Sequence, residues 1–340
     1  MRGGHPLLEP LRAVHREIRA GVLAACRQGE LAQLSAVAED GEGDTLYAID
    51  KISEALLVPA LAARAESLGG LILIAEGIAG GFLCLPEGRA PEVCRYRVII
   101  DPIDGTRGLM YQKRPAWILT GVALNHGDAT RLSHVELALQ TELPLAKQYL
   151  ADELWAVRGQ GAHAERVNLL DGSRTPLVLR PSAATNIDHG FASVTRLFPG
   201  ARDELAALDE AIVEALLGPP PPRKALCFED QYACSGGQLY ELMAGHDRFI
   251  ADLRPLLAPH LARRGLGPPL CCHPYDVCTA LIAEEVGVVL RTPEGTRFDA
   301  RLELEEDVAW VGYANAALAA RIEPILLREL ARRGFGRSSS

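Results

Sequence analysis

The chain has no excess of positive charge. Its 340 residues include 35 lysines and arginines against 44 aspartates and glutamates, which gives a net charge of −9 at pH 7. A surface that binds nucleic acid would need a basic stripe, so the composition predicts no nucleic acid polymer as a partner. An acidic protein can nevertheless bind phosphate groups where metal ions supply positive charge locally.

The sequence also lacks a long uninterrupted apolar run. Its longest apolar stretch, residues 69–85, contains Glu76 and several glycines, so it does not have the pattern of a membrane span. No apolar segment typical of a signal peptide follows Met1. With 48% hydrophobic residues the chain can still bury a substantial core. We therefore expect a cytoplasmic enzyme without a membrane partner.

Neither cysteine nor histidine has the spacing of a metal motif. The eight cysteines contain no C-x-x-C pair and the nine histidines no H-E-x-x-H, so buried free thiols are the expected state. The adjacent Cys271 and Cys272 leave a redox switch or a zinc site as alternatives, although zinc ligands are normally two to four residues apart. His273 lies three residues before Asp276, and a structural or substrate-rim role is favoured over metal binding.

Two aspartates stand at the predicted end of a buried strand. The β-branched residues 98–100 are typical of such a strand, and Asp101 follows them. Pro102 has no N–H to donate to a ladder, so we predict that the strand ends at Asp101. Asp104 comes three residues later. Because α/β sheets bind ligands at the carboxyl ends of their strands, both carboxylates are candidate ligands.

Donors for a phosphate follow directly. Gly105 offers an unhindered backbone N–H and Thr106 adds a hydroxyl, at a point where a helix could begin. Arg107 comes next and is either a surface cation or a residue that faces the substrate. Carboxylates for a hard cation therefore lie beside donors for a phosphate.

Two further acids extend the candidate site. Glu76 ends the apolar run 71–75, so it is predicted to project from a second strand end. Asp276 is predicted in the first turn of a helix that covers about residues 277–285. Mg²⁺ takes oxygen ligands in near-octahedral geometry, so acids that converge from separate elements can form a magnesium site.

Hydrophobic patterning predicts further elements along the chain. Further helices are expected over about 7–28, 49–68, 236–244 and 316–333, and strands over about 248–251, 286–290 and 309–313. Several antiparallel strands are expected between Trp117 and Leu179. The run Gly218-Pro219-Pro220-Pro221-Pro222 is predicted to be a stiff connector.

These acids resemble a known signature. Glu76, the segment Asp-Pro-Ile-Asp-Gly-Thr at 101–106 and Asp276 are similar, in this order, to the motifs of the inositol monophosphatase and fructose-1,6-bisphosphatase superfamily. Further similarities lie at residues 43–50, 117–125, 158–162 and 235–237, so the resemblance covers about residues 45–316. It implies an α/β fold, a layered αβαβα sandwich, and favours a homodimer. It also implies an amino-terminal part, 1–180, with the Glu and Asp motif and a carboxy-terminal part, 181–340, with Asp276.

The resemblance implies two or three Mg²⁺ ions per active site. Glu76, Asp101 and the carbonyl of Ile103 would hold the first ion. Asp101, Asp104 and Asp276 would hold the second. A weaker third ion would bind near Glu76, which would then also take part in catalysis.

The resemblance also implies roles in catalysis and substrate binding. Thr106, hydrogen-bonded to Asp50, would orient and deprotonate the attacking water, while the backbone N–H groups of Gly105 and Thr106 would hold the phosphate. Asp252 and Arg254 match a stretch that contacts the alcohol part of the substrate. The implied activity is magnesium-dependent hydrolysis of a small sugar, polyol or nucleotide phosphate by metal-activated water.

The chain departs from the pattern at two places. Gly77 stands where the superfamily often has a second glutamate, which puts the third metal ion in doubt. Residues 255–272 lengthen the connection before Asp276 and are expected at the mouth of the site, so inositol monophosphate does not follow as the substrate.

Three other interpretations compete with this one, and the residues between and after the two aspartates argue against the first two. A phosphatase of the haloacid dehalogenase type has one residue between its aspartates, whereas this chain has Pro102 and Ile103. A calcium-binding loop would need ligands where Ile103 and Gly105 stand. The third alternative, motivated by Gly77, is a weak or inactive member that binds a phosphorylated metabolite as a sensor or assembly subunit.

Overall fold

The computed structural model describes the backbone of residues 4–28, 37–39, 46–47, 50–78 and 80–335, and the side chains of residues 4–27, 57–78 and 80–335. The helices in these ranges are α1 (Leu8–Gln28), α2 (Asp50–Ala65), α3 (Thr106–Met110), α4 (Arg202–Leu217), α5 (Ser235–Ala244), α6 (Ala258–Arg263), α7 (Ala280–Glu285) and α8 (Ala316–Arg333). The strands are β1 (Val37–Glu39), β2 (Leu46–Tyr47), β3 (Leu71–Ile74), β4 (Phe82–Leu85), β5 (Tyr96–Asp104), β6 (Ala116–Leu124), β7 (Val135–Leu143), β8 (Leu150–Val157), β9 (Ala162–Asn168), β10 (Arg174–Leu177), β11 (Phe191–Val194), β12 (Asp247–Asp252), β13 (Val289–Arg291) and β14 (Trp310–Tyr313).

Helices and sheets alternate in layers. Helices α1 and α2 pack together on an eight-stranded sheet with the order β10-β9-β8-β7-β6-β5-β3-β4. Helices α5 and α7 contact both this sheet and a four-stranded sheet with the order β11-β12-β14-β13. Helices α4 and α8 pack together against the second sheet. The arrangement is the αβαβα sandwich that the sequence predicts.

Two apolar cores hold the layers together. The first lies between α1, α2 and the large sheet, and it buries Leu11, Val14 and Ile18 of α1 at the helical spacing seen in the sequence. The second joins the two sheets through α5 and α7 and contains the large side chains of Trp117 and Trp310. Burial of these faces stabilises helices that would be marginal in isolation.

Strand β5 continues beyond the predicted end at Asp101. It runs to Asp104, with a register shift against β6 between the pairs Asp101 with Leu119 and Asp104 with Trp117. The irregularity accommodates Pro102, because a proline that cannot donate to the ladder is tolerated at a bulge. The prediction that Pro102 ends the strand was therefore wrong.

Asp276 lies in a 3₁₀ turn, Pro274–Val277, and not in the first turn of an α-helix. The α-helix, α7, begins only at Ala280, after this turn. The following strand, β13, is Val289–Arg291 and begins three residues later than predicted. The predictions for α1, α2, α5, β12, β14 and α8 agree with the structure within a few residues.

Among the described elements, no specific prediction was made for the following: β1, β2, β4, β11, α4 and α6. Helix α6 lies in the connection 255–272, which continues after it without regular structure to Cys271. The proposed division of the chain at residue 180 stays a prediction. Within the described ranges no helix has both the length and the apolar character needed to cross a membrane.

The packing of β6 makes a testable prediction at Gly121. A Cβ atom at this position would lie 2.9 Å from the backbone oxygen of Cys278, so Gly121→Ala must displace the segment that follows Asp276. We expect a loss of about 1–3 kcal/mol in the free energy of unfolding, as for other overpacked sites, measured by urea denaturation. Gly267→Ala is the control, because nothing lies within 4 Å of its Cβ position. Equal stability of the two variants would contradict the packing described.

Candidate metal centre

Strand pairing brings Glu76 to the level of Asp101. Strands β3 and β5 are parallel, and Ile74 pairs with Ile99. Continuing this register by two residues places Glu76 beside Asp101 at the same edge of the sheet. Glu76 therefore lies just beyond the end of β3 at the edge of the sheet where β5 carries Asp101, although its carboxylate is not part of the three-aspartate group described below.

The 3₁₀ turn after His273 delivers the third aspartate. The backbone N–H of His273 donates to Asp276 Oδ2 at 2.7 Å, which fixes the carboxylate over the start of its own turn. The turn contacts β5 and β6, the strand pair that carries Asp101 and Asp104. An element far away in the sequence thereby completes the acid cluster.

Asp101, Asp104 and Asp276 form one compact group. One carboxylate oxygen from each lies within 4.8 Å of the others. Asp101 and Asp104 are only 8% and 7% exposed. Hard divalent cations such as Mg²⁺ and Ca²⁺ bind carboxylate oxygens, so this donor set fits such an ion. No other cluster with this geometry occurs among the side chains that the structure describes.

The cluster is electrostatically unfavourable without a cation. Burial, followed by the charges of neighbouring carboxylates, raises the pKa of Asp101 and of Asp276 well above the ordinary value. Burial also raises the pKa of Asp104 to about 6, although hydrogen bonds from the backbone of Gly236 and from Cys234 oppose the shift. A bound cation would remove this repulsion, which is typical of a functional metal site.

The start of α5 holds Asp104 in place. The backbone N–H of Gly236 donates to Asp104 Oδ2, and the Cys234 thiol lies 3.2 Å from the same oxygen. A Cβ atom at Gly236 would lie 2.5 Å from Leu119 Cδ2 and 3.0 Å from Asp104 Oδ2. Only glycine allows this approach. The sequence indicated a helix opening of small residues here, but not its contact with Asp104.

The predicted phosphate and water positions lie directly after Asp104. Gly105 has φ +94°, a conformation that favours glycine. The Thr106 hydroxyl donates to the carbonyl of Ile103 at 2.9 Å, the same carbonyl that is predicted to bind metal. Asp50 opens α2, but its side chain lies outside the described residues, so its hydrogen bond to Thr106 stays a prediction.

Arg254 lies beside the cluster and is held by Asp252. Its guanidinium forms a bidentate ion pair with Asp252, with an Nη2 to Oδ2 distance of 2.6 Å, and Asp252 is fully buried. The positive charge of Arg254 lowers the pKa of Asp104 and of Asp276, against the larger effect of burial. Asp252 thus orients Arg254, and substrate contacts by either residue stay predictions.

Arg107 and Arg254 meet at one aromatic ring. Their guanidinium carbons lie 5.5 and 5.4 Å from the centroid of Phe198. Phe198 had no sequence signal, because it stands in a segment between β11 and α4 for which no structure was predicted.

The connection 255–272 packs against the segment that contains Gly200 and Asp203. Leu261 approaches Gly200, and Arg264 forms an ion pair with Asp203. Its predicted place at the mouth of the site stays a prediction.

Glu76 has a partner that sequence reasoning missed. The phenol of Tyr275 donates to Glu76 Oε1. Gly77 follows with φ +78°, a conformation that side chains oppose. A second glutamate introduced here would be strained, so the backbone itself explains the departure at Gly77.

Cysteine and histidine remain outside the cluster. Cys271 and Cys272 are buried free thiols, as expected, and burial raises the pKa of both, which keeps them protonated and weakly nucleophilic. The zinc alternative finds no support, because no group of metal-binding geometry includes them in the described part of the chain. His273 lies 3.8 Å from Asp276 and 3.7 Å from Asp307 through its two ring nitrogens.

The structure resembles solved structures of two named phosphatases and of one extragenic suppressor protein. It superposes on Leishmania major fructose-1,6-bisphosphatase with a TM-score of 0.67 at 13% identity, covering 96% of this chain and 94% of that one. The suhB extragenic suppressor protein of Bartonella henselae gives a TM-score of 0.63 at 14% identity, with coverages of 95% and 98%. The IMPase of Thermotoga maritima gives 0.60 at 15%, with coverages of 97% and 100%.

No protein-family model and no curated protein matches the chain. At these identities the likeness to solved structures establishes the fold alone. The chain therefore has the layered fold of the inositol monophosphatase type, as the signature residues predict.

The raised pKa of Asp104 makes a prediction for the cation-free protein. Its folded pKa of about 6 exceeds that of an unfolded aspartate, so the native state binds more protons between these two values. Stability should then fall as pH rises from about 4 to above 6, because its slope follows the difference in bound protons. Asp104→Asn removes this titration, so the free energy of unfolding should decrease less with rising pH in the variant than in the wild type. The measurement is urea unfolding of both proteins in the presence of EDTA.

Removing the charge of Asp104 also lowers the pKa of Asp101 and of Asp276, which makes the fall in stability shallower in the same direction. Buried acids outside the cluster do not obscure the comparison. Burial raises the pKa of Glu142 and of Asp247 to about 7, but both titrate equally in the wild type and the variant. Added Mg²⁺ should restore wild-type stability at the higher pH, since a ligand that binds only the native state stabilises it. Parallel pH profiles of the two proteins would contradict the assignment.

Proposed function

We propose that the protein is a magnesium-dependent phosphomonoesterase that acts on a small sugar, polyol or nucleotide phosphate. The observation that carries the proposal is the group formed by the buried Asp101 and Asp104 and the partly buried Asp276, in which one carboxylate oxygen of each lies within 4.8 Å of the others. The structural neighbours named as fructose-1,6-bisphosphatase and IMPase support it. A metal-dependent phosphatase also accounts for an acidic cluster at a site that must bind an anionic substrate, because the bound cations would supply the positive charge.

In this proposal the chain would hold two or three Mg²⁺ ions. Glu76, Asp101 and the Ile103 carbonyl would hold one, and Asp101, Asp104 and Asp276 another. When bound, the ions would neutralise the charge of the phosphate and lower the pKa of a bound water. Gly236, Cys234 and His273 N–H keep the aspartates in position, through the hydrogen bonds described above.

The residues after Asp104 would act on the substrate itself. The backbone N–H groups of Gly105 and Thr106 would donate to phosphate oxygens, and Thr106 with Asp50 would orient and deprotonate the water. Arg107, Asp252 and Arg254 would contact or shape the side of the pocket that accepts the alcohol. The charge on Arg254, buried beside the cluster, would attract an anionic ester, since buried charges are weakly screened.

The remaining parts of the proposal rest on the resemblance. The partner would be a small phosphorylated metabolite, and the protein would be a homodimer in the cytoplasm.

The competing function is a sensor or assembly subunit that binds such a metabolite without turnover. It is favoured by Gly77, because a glycine at this position contributes no second acid beside Glu76. The φ of +78° at Gly77 also opposes a side chain there.

The direct test is phosphate release from a panel of metabolite monoesters with and without Mg²⁺. We expect wild-type turnover that requires Mg²⁺ and falls at least roughly 100-fold in Asp101→Asn, Asp104→Asn and Asp276→Asn, because an amide keeps the shape but loses the charge that binds the cation. Asp128→Asn is the matched control, since Asp128 is fully exposed and lies outside the cluster. Wild-type rates in all three site variants would refute the assignment, and an inactive wild type that binds a metabolite would favour the sensor.

Stereochemistry tests the proposed attack by water. Thr106 and Asp50 are proposed to activate water and not to form a phosphoenzyme, so one displacement occurs at phosphorus. Hydrolysis of a chiral thiophosphate ester in isotopically labelled water should invert the configuration, as read by ³¹P NMR. Net retention would indicate two displacements and a covalent intermediate.

A further inference from the structure

A tyrosine joins two of the acidic segments. Tyr275 is only 6% exposed, and its phenol donates to Glu76 Oε1 although the two residues are 199 positions apart. Its ring stacks on the imidazole of His273, with centroids 5.3 Å apart and planes 9° from parallel. The phenol oxygen also lies 3.3 Å from His273 Nδ1. Stacking on His273 therefore fixes the ring of Tyr275, and the hydrogen bond to Glu76 fixes its hydroxyl group.

Glu76 lies where strand pairing no longer fixes the backbone. The ladder of β3 ends at Ile74, which pairs with Phe82 on one side and Ile99 on the other. Glu76 follows in the loop toward β4, next to Gly77 with its positive φ. Its carboxylate is half-buried, so contacts of the side chain decide where its charge lies.

Tyr275 and Asp276 are consecutive residues of one 3₁₀ turn. The turn therefore supplies Asp276 to the cluster and holds Glu76, an acid that is not itself in the three-aspartate group. The charge of Glu76 is close enough to contribute, after burial and the nearer aspartate, to raising the pKa of Asp101 and of Asp276. Burial likewise raises the pKa of the Tyr275 phenol well above its ordinary value, so the phenol stays a donor at neutral pH.

We propose that Tyr275 is a positioning residue for divalent cation binding, which fixes the Glu76 carboxylate against the three aspartates. This inference rests on the metal site of the proposed function, but it concerns cation affinity and does not require turnover. Tyr275 acts through Glu76 and is not itself a ligand. At a strand end where Gly77 contributes no second acid, the position of the single carboxylate controls how well an ion is held.

The test measures Mn²⁺ affinity by calorimetry and by the EPR signal of free Mn²⁺, without substrate. Tyr275→Phe removes the hydroxyl but keeps the ring that stacks on His273. We expect its Mn²⁺ dissociation constant to rise roughly 10- to 100-fold, the usual effect of losing a group that orients a metal ligand.

Tyr240→Phe is the matched control. The phenol of Tyr240 also donates to a buried carboxylate, Asp152 Oδ2 at 2.7 Å, but Asp152 lies outside the acid cluster. Both variants lose one phenol-to-carboxylate hydrogen bond, so general destabilisation should affect them alike. We expect Tyr240→Phe to bind Mn²⁺ within about twofold of the wild type, because its hydrogen bond orients Asp152, which is not among the clustered aspartates.

A double-mutant cycle separates positioning from packing. If Tyr275 acts through Glu76, Tyr275→Phe should add little further loss in a Glu76→Gln background, whereas independent effects would add. The proposal is overturned by unchanged Mn²⁺ affinity in Tyr275→Phe, by additive losses, or by a wild type that binds no divalent cation. The expected pattern without any phosphate release would support Tyr275 as a positioning residue while refuting the proposed phosphatase activity.

Discussion

Repulsion between buried carboxylates is the constraint on which the site depends. One carboxylate oxygen each of Asp101, Asp104 and Asp276 lies within 4.8 Å of the others. Burial raises the pKa of all three, and neighbouring carboxylate charges raise the pKa of Asp101 and Asp276 further. Their positions are enforced from three directions, by a bulged strand, by the start of α5 and by a 3₁₀ turn. A fold that maintains such an arrangement without a cation sacrifices stability for function, as active sites commonly do.

The layers of the fold explain how the acids converge. Parallel strands β3 and β5 bring Glu76 and Asp101 to one sheet edge, while α5 and the turn before α7 approach from the layer between the two sheets. Small residues make that approach close, since a Cβ at Gly236 would meet Asp104 and one at Gly121 would meet the backbone of Cys278. Asp104 and its hydrogen-bond donors at the start of α5 thus come from different layers.

The sequence predicts the acids better than their surroundings. Asp101 and Glu76 follow short continuous apolar runs that are typical of buried strands, and this local pattern was enough to predict them at strand ends. The bulge at Pro102 and the 3₁₀ turn of Asp276 were not predicted, because both depend on contacts with β6 and α5. Tyr275 and Phe198 were missed for the same reason: nothing in their own segments indicates the remote partners Glu76, Arg107 and Arg254.

The central claim, that these carboxylates form a divalent cation site, is tested most directly by anomalous diffraction from crystals grown with Mn²⁺. The account predicts an anomalous peak within bonding distance of Asp101, Asp104 and Asp276, and its loss in Asp104→Asn crystals. Fully ordered carboxylates with no anomalous peak between them at saturating Mn²⁺ would contradict it.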